Sequence, residues 1–578
     1  MEKRLVLAII LSILVLIAFQ RIFIKPQKLV PPQPAPSAAQ PAVQAAPAGA
    51  VPEPQKIVPA PSVAPPAAAA SKPIEAKEKD TIRIKTDLYT AEWTNQGGVL
   101  TSWVLAKYKD SQKKDLDLVP AEAGQNGFLF PFSVRLEDKG VEDRVNGQNY
   151  VWTSDPAAVN GEIVIPKDGT AELRFSYFDG TSVRAEKILR FKNGVYPIDI
   201  EIRVWKDGVV IPSSLRWGPG LGRLSEKEKK LRESTMGGST VSGAVLYANG
   251  KALRHPEKGY RPEFAAPSSV NWAAYEDHYF TALFVVPDRM SQAAFIKDER
   301  GEKTGYYLSF EASSAASPVT KILGYIGPKE SSTLIAFGHN TKAVIRYSNF
   351  LGINLKPIAE LMLVGVRFFY KIIPNWGLAV ILLTIVIKIL FFPLTYSSTK
   401  SMARMAEIQP KIKALQAKYK KSKTDIEQRR QMNEETMKLY KEHGINPAGG
   451  CLPMLIQLPV FVAVYQMLST AIEFRNSPFI PFWINDLSVR DKTYILPILM
   501  GGTQFVSQKM TPTSVDSTQA KMMLLMPVIM TGFFLWAQSG LVLYWLTTNV
   551  LQIGQQAIIN RMMEKAKAAR AAKPSKAR

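Results

Sequence analysis

Apolar residues recur with a period of two in one half of this chain and with helical or unbroken spacing in the other. Between residues 80 and 350 the runs are short and alternate. Examples are Thr81-Ile82-Arg83-Ile84, Ala171–Phe178 before Asp179-Gly180, and Ile198–Trp205 before Asp207-Gly208. An Asp-Gly pair after an alternating run predicts a β-hairpin. Many such runs predict a large antiparallel, all-β sandwich over 80–350. Beyond it, Leu355, Ile358, Leu361, Met362, Val366 and Phe369 fall on one helical stripe interrupted by Lys356, Glu360, Arg367 and Lys371. That spacing predicts an amphipathic helix over 351–373, lying at a membrane interface. Five apolar segments follow: Trp376–Leu394, Leu452–Ile472, Thr493–Ser507, Met522–Ala537 and Leu541–Ile559. The first, second and fifth are long enough to cross ~30 Å of hydrocarbon. The other two are short and are read as spans in a locally thinned bilayer.

The N-terminus places Lys3 and Arg4 before an apolar run from Leu5 to Phe19, with no small-residue cleavage site behind it. This predicts an uncleaved signal-anchor helix over 1–25. Residues 26–79 form a Pro/Ala-rich linker: Pro26 to Pro73 holds 14 of the 40 prolines, and such a segment cannot bury a core. Inside 374–562, residues 397–445 are polar yet patterned. Met405, Ile408, Ile412, Leu415 and Tyr419 step by three and four, a seam for a partner helix. Pro410 is expected to kink that helix or mark its start. Thr424 with Glu427 forms a capping box for a second helix, which ends at His443-Gly444. The prediction is a helical hairpin.

Charge then orients the chain. The net charge of +23 is not spread evenly. Residues 395–450 carry 12 Lys/Arg, the loop 473–492 only three, and the tail after Asn560 seven. Basic loops stay on the cytoplasmic side. The pattern therefore predicts six spans, five of them in a helical core at 374–562. Both termini and the basic tail 563–578 would be cytoplasmic, and residues 26–350 periplasmic. This clustering beside apolar runs speaks against a specific nucleic-acid partner and for attraction to anionic lipids. Cys451 is the only cysteine, so no intramolecular disulfide forms, and the four histidines show no metal-ligand spacing. Gly218-Pro219-Gly220-Leu221-Gly222 lacks the strand-to-helix setting of a phosphate loop and reads as a turn. No cofactor is implied.

Lys388 is the exception inside the apolar segments. A cation near mid-bilayer costs at least ~2.5–3.5 kcal/mol. Snorkelling and a wet cavity account for it equally well by position, since Leu394 is only about 9 Å further along the helix. Thr384 lies one turn away, and Gln457, Tyr465, Gln466, Gln504, Thr547, Thr548, Asn549 and Gln552 dot the other segments. No Asp or Glu lies within them. An unpaired cation among neutral polar groups suggests a hydrated groove and not a proton relay, which would need titrating carboxylates or histidines.

Asn375-Trp376-Gly377, Phe392-Pro393-Leu394-Thr395, Gln409-Pro410-Lys411-Ile412, Asn446–Pro453, Leu455–Pro459, Ile495–Gly501 and Ser539–Trp545 together resemble the YidC membrane protein insertases, in order, over residues 350–562. The anchor, linker and β domain resemble the Gram-negative type. The resemblance implies a protein that inserts and helps fold nascent membrane proteins, alone or beside the Sec translocon, without covalent chemistry. It implies a groove open to cytoplasm and lipid that carries one basic residue. That residue is usually arginine, and Lys388 stands there here. Thr384 and Gln457 match groove positions, and Tyr544-Trp545 stands where the family often has two tyrosines. The hairpin and the basic tail would dock a ribosome or targeting factor. The β domain resembles a sugar-binding sandwich, with no catalytic constellation to carry over. A small-solute transporter is the rival reading and would require inverted repeats, which are not found. An enzymatic β domain would require a cleft with paired carboxylates.

Overall fold

The computed structural model describes residues 72–571 except 111–112, 223–229, 232–233, 237–241, 262–269, 287–291, 312–318, 348–352, 420–424, 446–451 and 512–516. The expected anchor helix, most of the linker, Thr424 and the end of the tail lie outside the described residues.

From Thr81 to Pro328 the described chain forms nineteen strands in sheets of five, ten and four. Alternation in the sequence becomes alternation in burial. Thr81–Lys85 reads exposed, buried, exposed, buried, exposed, and Thr170–Phe178 buries every second side chain. Both Asp-Gly signals close hairpins. Strand Thr170–Phe178 pairs antiparallel with Val183–Lys192, and Pro197–Lys206 with Val209–Ile211. Asp207 and Gly208 both take positive φ, 51° and 80°, as the tight turn requires. Strands Trp272–Glu276 and Phe280–Val285 are buried throughout, which matches their nearly unbroken apolar sequences. One apolar core runs through all three sheets, with Trp93, Trp103, Trp217 and Trp272 fully buried.

The domain departs from an all-β, wholly antiparallel sandwich in two respects. Helices α1 (Lys139–Gly147) and α2 (Ser331–Phe337) interrupt it, and strand Thr81–Lys85 pairs parallel with Glu162–Val164. A parallel pair needs a long connection, and the intervening strands and α1 supply it.

The second half is helical: α3 (Lys356–Ile372), α4 (Trp376–Lys418), α5 (Ile426–Glu442), α6 (Leu452–Thr470), α7 (Ile495–Met510), α8 (Ser517–Phe534) and α9 (Ser539–Ala571). Helix α3 buries Ala359, Met362, Leu363 and Val366 and exposes Leu361, Val364, Phe368 and Ile372 on the opposite side. Its Arg367 Nε donates to Glu473 Oε1 at 2.7 Å, tying it to the loop after α6.

Two expectations for the hairpin change. Pro410 neither starts nor ends a helix: α4 runs 43 residues through Pro393 and Pro410 as one element. Proline removes one hydrogen bond but does not stop a helix whose flanking turns are held by packing. The cap of α5 is Asp425, whose side chain accepts from the N–H groups of Glu427 and Gln428. The shorter Asp425 side chain reaches those donors from the position next to the helix. Helix α5 does end at His443, with Gly444 at φ 62°. Along the expected seam Ile408 and Ile412 are buried with Ile445. Close packing also brings α7 against α8, since a Cβ at Gly501 would lie 2.0 Å from Thr531 Oγ1.

Lys187 occupies an inward position of strand Val183–Lys192 and is 2% exposed. Its Nζ donates to the carbonyls of Gly97 at 2.6 Å, Gly98 at 3.2 Å and Phe132 at 2.8 Å. Burial pushes its pKa from 10.5 down to about 7. Between those values the native state binds fewer protons than the unfolded chain, so stability rises with pH and is lost as pH falls. Urea unfolding of the β domain followed by tryptophan fluorescence should therefore give a midpoint that climbs from neutral to alkaline pH. Lys187→Met should flatten that climb.

Candidate functional site

Helix α4 begins at Asn375, whose side chain accepts from Leu378 N at 3.0 Å while its Nδ2 donates to Phe479 O at 3.1 Å. Its partner across the site is α9. At 100° per residue, Tyr544, Thr548, Gln552 and Gln555 fall within about 80° of one another on one face of α9. That face meets α4: Tyr544 and Thr548 line the same cavity as Lys388, and Gln552 and Gln555 hydrogen-bond Lys388 itself. Trp545, Asn549 and Asn560 fall on a neighbouring face and bind α7. Trp545 Nε1 donates to Gln504 Oε1 at 3.1 Å, Asn549 Nδ2 to Met500 O at 3.2 Å, and Asn560 Nδ2 to Met510 O at 3.4 Å. One helix thus carries two polar stripes with two different partners.

Between α4, α6 and α9 lies a cavity of about 30 Å³ lined by Thr384, Ile387, Lys388, Phe391, Leu394, Thr395, Ile456, Gln457, Val460, Tyr544 and Thr548. That volume holds about one or two waters. Four expected groove residues meet there: Lys388, Thr384, Gln457 and Tyr544. Trp545 does not line it. Its ring instead packs edge-on against Phe461 at 4.9 Å and near Phe534 at 5.4 Å. The consecutive positions Tyr544 and Trp545 are about 100° apart on a helix, so Tyr544 turns towards the cavity while Trp545 turns towards Phe461, Phe534 and Gln504.

Lys388 Nζ donates to Gln552 Oε1 at 3.0 Å, and Gln555 Nε2 donates to the Lys388 carbonyl at 3.3 Å. No carboxylate forms an ion pair with Lys388 among the described residues. Thr384 is 1% exposed and donates to Val380 O of its own helix at 2.7 Å, leaving its lone pairs to the cavity. The arrangement can hold a cation, a few neutral hydrogen-bonding groups and little water. It has no base–nucleophile pair and no ligand cluster, and among the described residues no group of His, Cys, Asp or Glu is placed to bind a metal. The contribution of Gln552 and Gln555 was legible only as the 4, 4, 3 spacing from Tyr544, which marks a single polar stripe.

The bundle is joined to the β domain. Arg475 Nη1 and Asn476 Nδ2 donate to Lys109 O at 2.7 and 2.8 Å, and the Arg475 guanidinium lies 5.5 Å over the Phe280 ring. His278 Nε2 lies 2.6 Å from Ser469 O, and Arg490 N donates to Thr235 Oγ1 at 3.2 Å. Among the described residues one helix, Trp376–Lys418, is long and apolar enough to cross a membrane, and Ile456–Thr470 and Leu524–Phe534 are shorter apolar helical stretches.

A β-sandwich joined to apolar helices that hold the half-buried cation Lys388 among neutral polar groups defines a membrane protein with a large extramembranous domain. Residues 368–567 match the family described as 60Kd inner membrane protein, and residues 81–361 match the YidC periplasmic domain. The chain is 37% identical over 571 residues to the membrane protein insertase YidC of Citrifermentans bemidjiense, covering 97% of this chain and 99% of the relative. It is 34% identical over 577 residues to that of Geobacter metallireducens, covering 98% and 100%. A solved YidC insertase aligns over 84% of this chain and 93% of that one at 18% identity, with a TM-score of 0.34. The chain belongs to the YidC family of inner-membrane insertases.

Trp545→Phe keeps the ring contacts and removes the donor to Gln504. Losing this half-buried hydrogen bond costs about 1 kcal/mol. The expected result is a thermal midpoint lowered by a few degrees in detergent, measured by circular dichroism.

Proposed function

We propose that this chain inserts membrane proteins into the inner membrane by admitting their polar ends beside Lys388. The observation that carries the reading is the Lys388 side chain itself. It is a cation inside an apolar helix, held by the amide Gln552 and facing a cavity shared by α4, α6 and α9. A polar segment entering there meets hydrogen-bonding groups and a positive charge in place of hydrocarbon, which lowers its desolvation cost. Its apolar helix passes meanwhile along α6 and α9 into lipid.

The cavity is too small for a polypeptide, so the slot widens when a substrate enters. The geometry favours parting α4 from α6, because α4 is held to α9 by Gln552 and Gln555 and packs against α6 far less. Thr384, Gln457 and Tyr544 line the route. Trp545 supports it from behind by bracing α9 against α7.

The charge pattern supports six spans with both termini in the cytoplasm and residues 26–350 in the periplasm. The hairpin of α4 and α5 is then cytoplasmic. With the basic tail it offers a docking arm for a ribosome or targeting factor and a surface for anionic lipids. Nascent membrane proteins are the substrates, delivered directly or beside the Sec translocon. No cofactor enters this scheme, and no covalent step is required.

Lys388→Ala should reduce insertion of a single-span substrate into proteoliposomes about tenfold, the loss that follows from removing about 1.4 kcal/mol of stabilisation on the path. Lys388→Arg should restore most of it, because charge is kept. Normal insertion by Lys388→Ala would remove Lys388 from the mechanism.

A further inference from the structure

The loop between α6 and α7 reverses on a residue that local chemistry disfavours. Ile480 and Ile484 pair across Pro481, Phe482 and Trp483; Ile484 N donates to Ile480 O at 3.0 Å and Phe479 N to Ile484 O at 2.9 Å. Proline suits the second place of such a turn, and glycine or asparagine suits the third. The third place holds Phe482 at φ 75°, a backbone conformation that a bulky side chain adopts only when its surroundings impose it. The ring gains no packing in return, because Phe482 is 100% exposed.

The neighbours of the turn fix where that ring stands. Phe479 packs so closely on the first turn of α4 that a Cβ at Gly377 would collide with its ring. Its carbonyl accepts from Asn375 Nδ2 at 3.1 Å. On the other side Trp483 Nε1 donates to Thr493 Oγ1 at 2.9 Å, just before α7. The turn is thus pinned to the ends of α4 and α7 nearest the β domain, and at most about 11 Å of chain separates Phe479 from Phe482. Helix α4 is long and apolar enough to cross a membrane, so its first turn marks one face of the bilayer. Aromatic side chains gather at that level in membrane proteins. Here Trp376 stacks on Tyr370 of α3 at 3.9 Å and meets Phe474 edge-on at 5.7 Å.

A single exposed phenylalanine means little by itself. This one continues an apolar rim formed by Phe368 and Ile372 of α3, Leu378 of α4, and Ile495 and Ile498 of α7, all exposed. Helix α7 has 16 residues and is about 24 Å long, short of the ~30 Å of hydrocarbon it would have to cross. The turn lies at the end where α7 stops.

We infer that the turn at Phe482 is a membrane anchor: its ring enters the lipid leaflet on the β-domain side and supplies apolar height where α7 is short. The occupant is lipid, because the apolar rim on both sides of the turn belongs to helices that lie in the bilayer. The inference is independent of the role of Lys388.

Purified full-length protein carrying Cys451→Ser would be labelled with a nitroxide at Phe482→Cys, the apolar label standing in for the ring. A second sample would carry the label at Val159→Cys, an exposed apolar position of the β domain. In phospholipid vesicles, relaxation by oxygen and by a water-soluble nickel chelate reports the depth of each label. The label at 482 is expected about 5–10 Å below the head groups, the depth of an interfacial anchor, and the label at 159 in water. Equal access of the nickel chelate to both overturns the inference. Dipolar broadening between labels at 482 also overturns it, since a second copy would then cover the turn. Phe482→Gly and Phe482→Asp test the ring without a label on it, and both residues tolerate positive φ. Neither should lower the thermal midpoint in detergent, and a loss of several degrees would make the ring part of the fold and overturn the anchor. With the nitroxide at Ile495→Cys, both should raise access of the nickel chelate to the start of α7, Phe482→Asp the more. Unchanged access in both overturns the anchoring role.

Discussion

An ammonium enclosed by apolar helices has to be given hydrogen-bond acceptors without water in bulk, and much of the helical bundle is arranged around that requirement. Lys388 finds its acceptor on α9, so α9 must lie alongside α4 with a polar stripe turned towards it. The same helix must also be fixed in rotation, because a turn of about 100° would present Trp545 and Asn549 to the lysine instead. The contacts of Trp545, Asn549 and Asn560 with α7 supply that rotational lock. Helix α7 is steadied in turn by its close approach to α8 at Gly501. The chain of constraint therefore runs from Lys388 through α9 to α7 and α8, and α6 is left as the wall least bound to α4.

The β domain is built on a different constraint. Its core is aromatic, and Lys187, 2% exposed within it, meets three backbone carbonyls. Two enclosed lysines thus show two solutions. The carbonyls around Lys187 use all three of its donors and make it a pin between strands. The amide beside Lys388 uses one and leaves the rest of the ammonium to a cavity. Arg475, Asn476, His278 and Arg490 then carry the rigidity of the sandwich to the ends of α6 and α7.

Much of this was legible in the sequence. The alternating runs placed strands at Thr81, Ala171 and Ile198, and the Asp-Gly pairs placed their turns, because a period of two and a left-handed turn residue each admit few alternatives. Lys388 stood out because a charge inside an apolar run has few uses. The parallel strand pair was not legible, since it joins segments about 80 residues apart and leaves no local mark. The continuous α4 was missed because proline weighs heavily in local rules, while packing that spans Pro393 and Pro410 is tertiary. Trp545 was grouped with Tyr544 because the resemblance places two aromatic residues there, where helical geometry turns them about 100° apart. The polar stripe of α9 was visible in spacing, yet nothing in the sequence said that α4 would be the helix it meets.

Site-specific photocrosslinking to a stalled nascent membrane protein tests the route past Lys388 most directly. A photoreactive residue at Gln457 or Ile387, both lining the cavity, is expected to capture the polar end of the substrate. The same probe at Leu361, on the exposed side of α3, is expected to capture little. Equal capture at Leu361, or none at Gln457 and Ile387, would contradict insertion through the slot at Lys388.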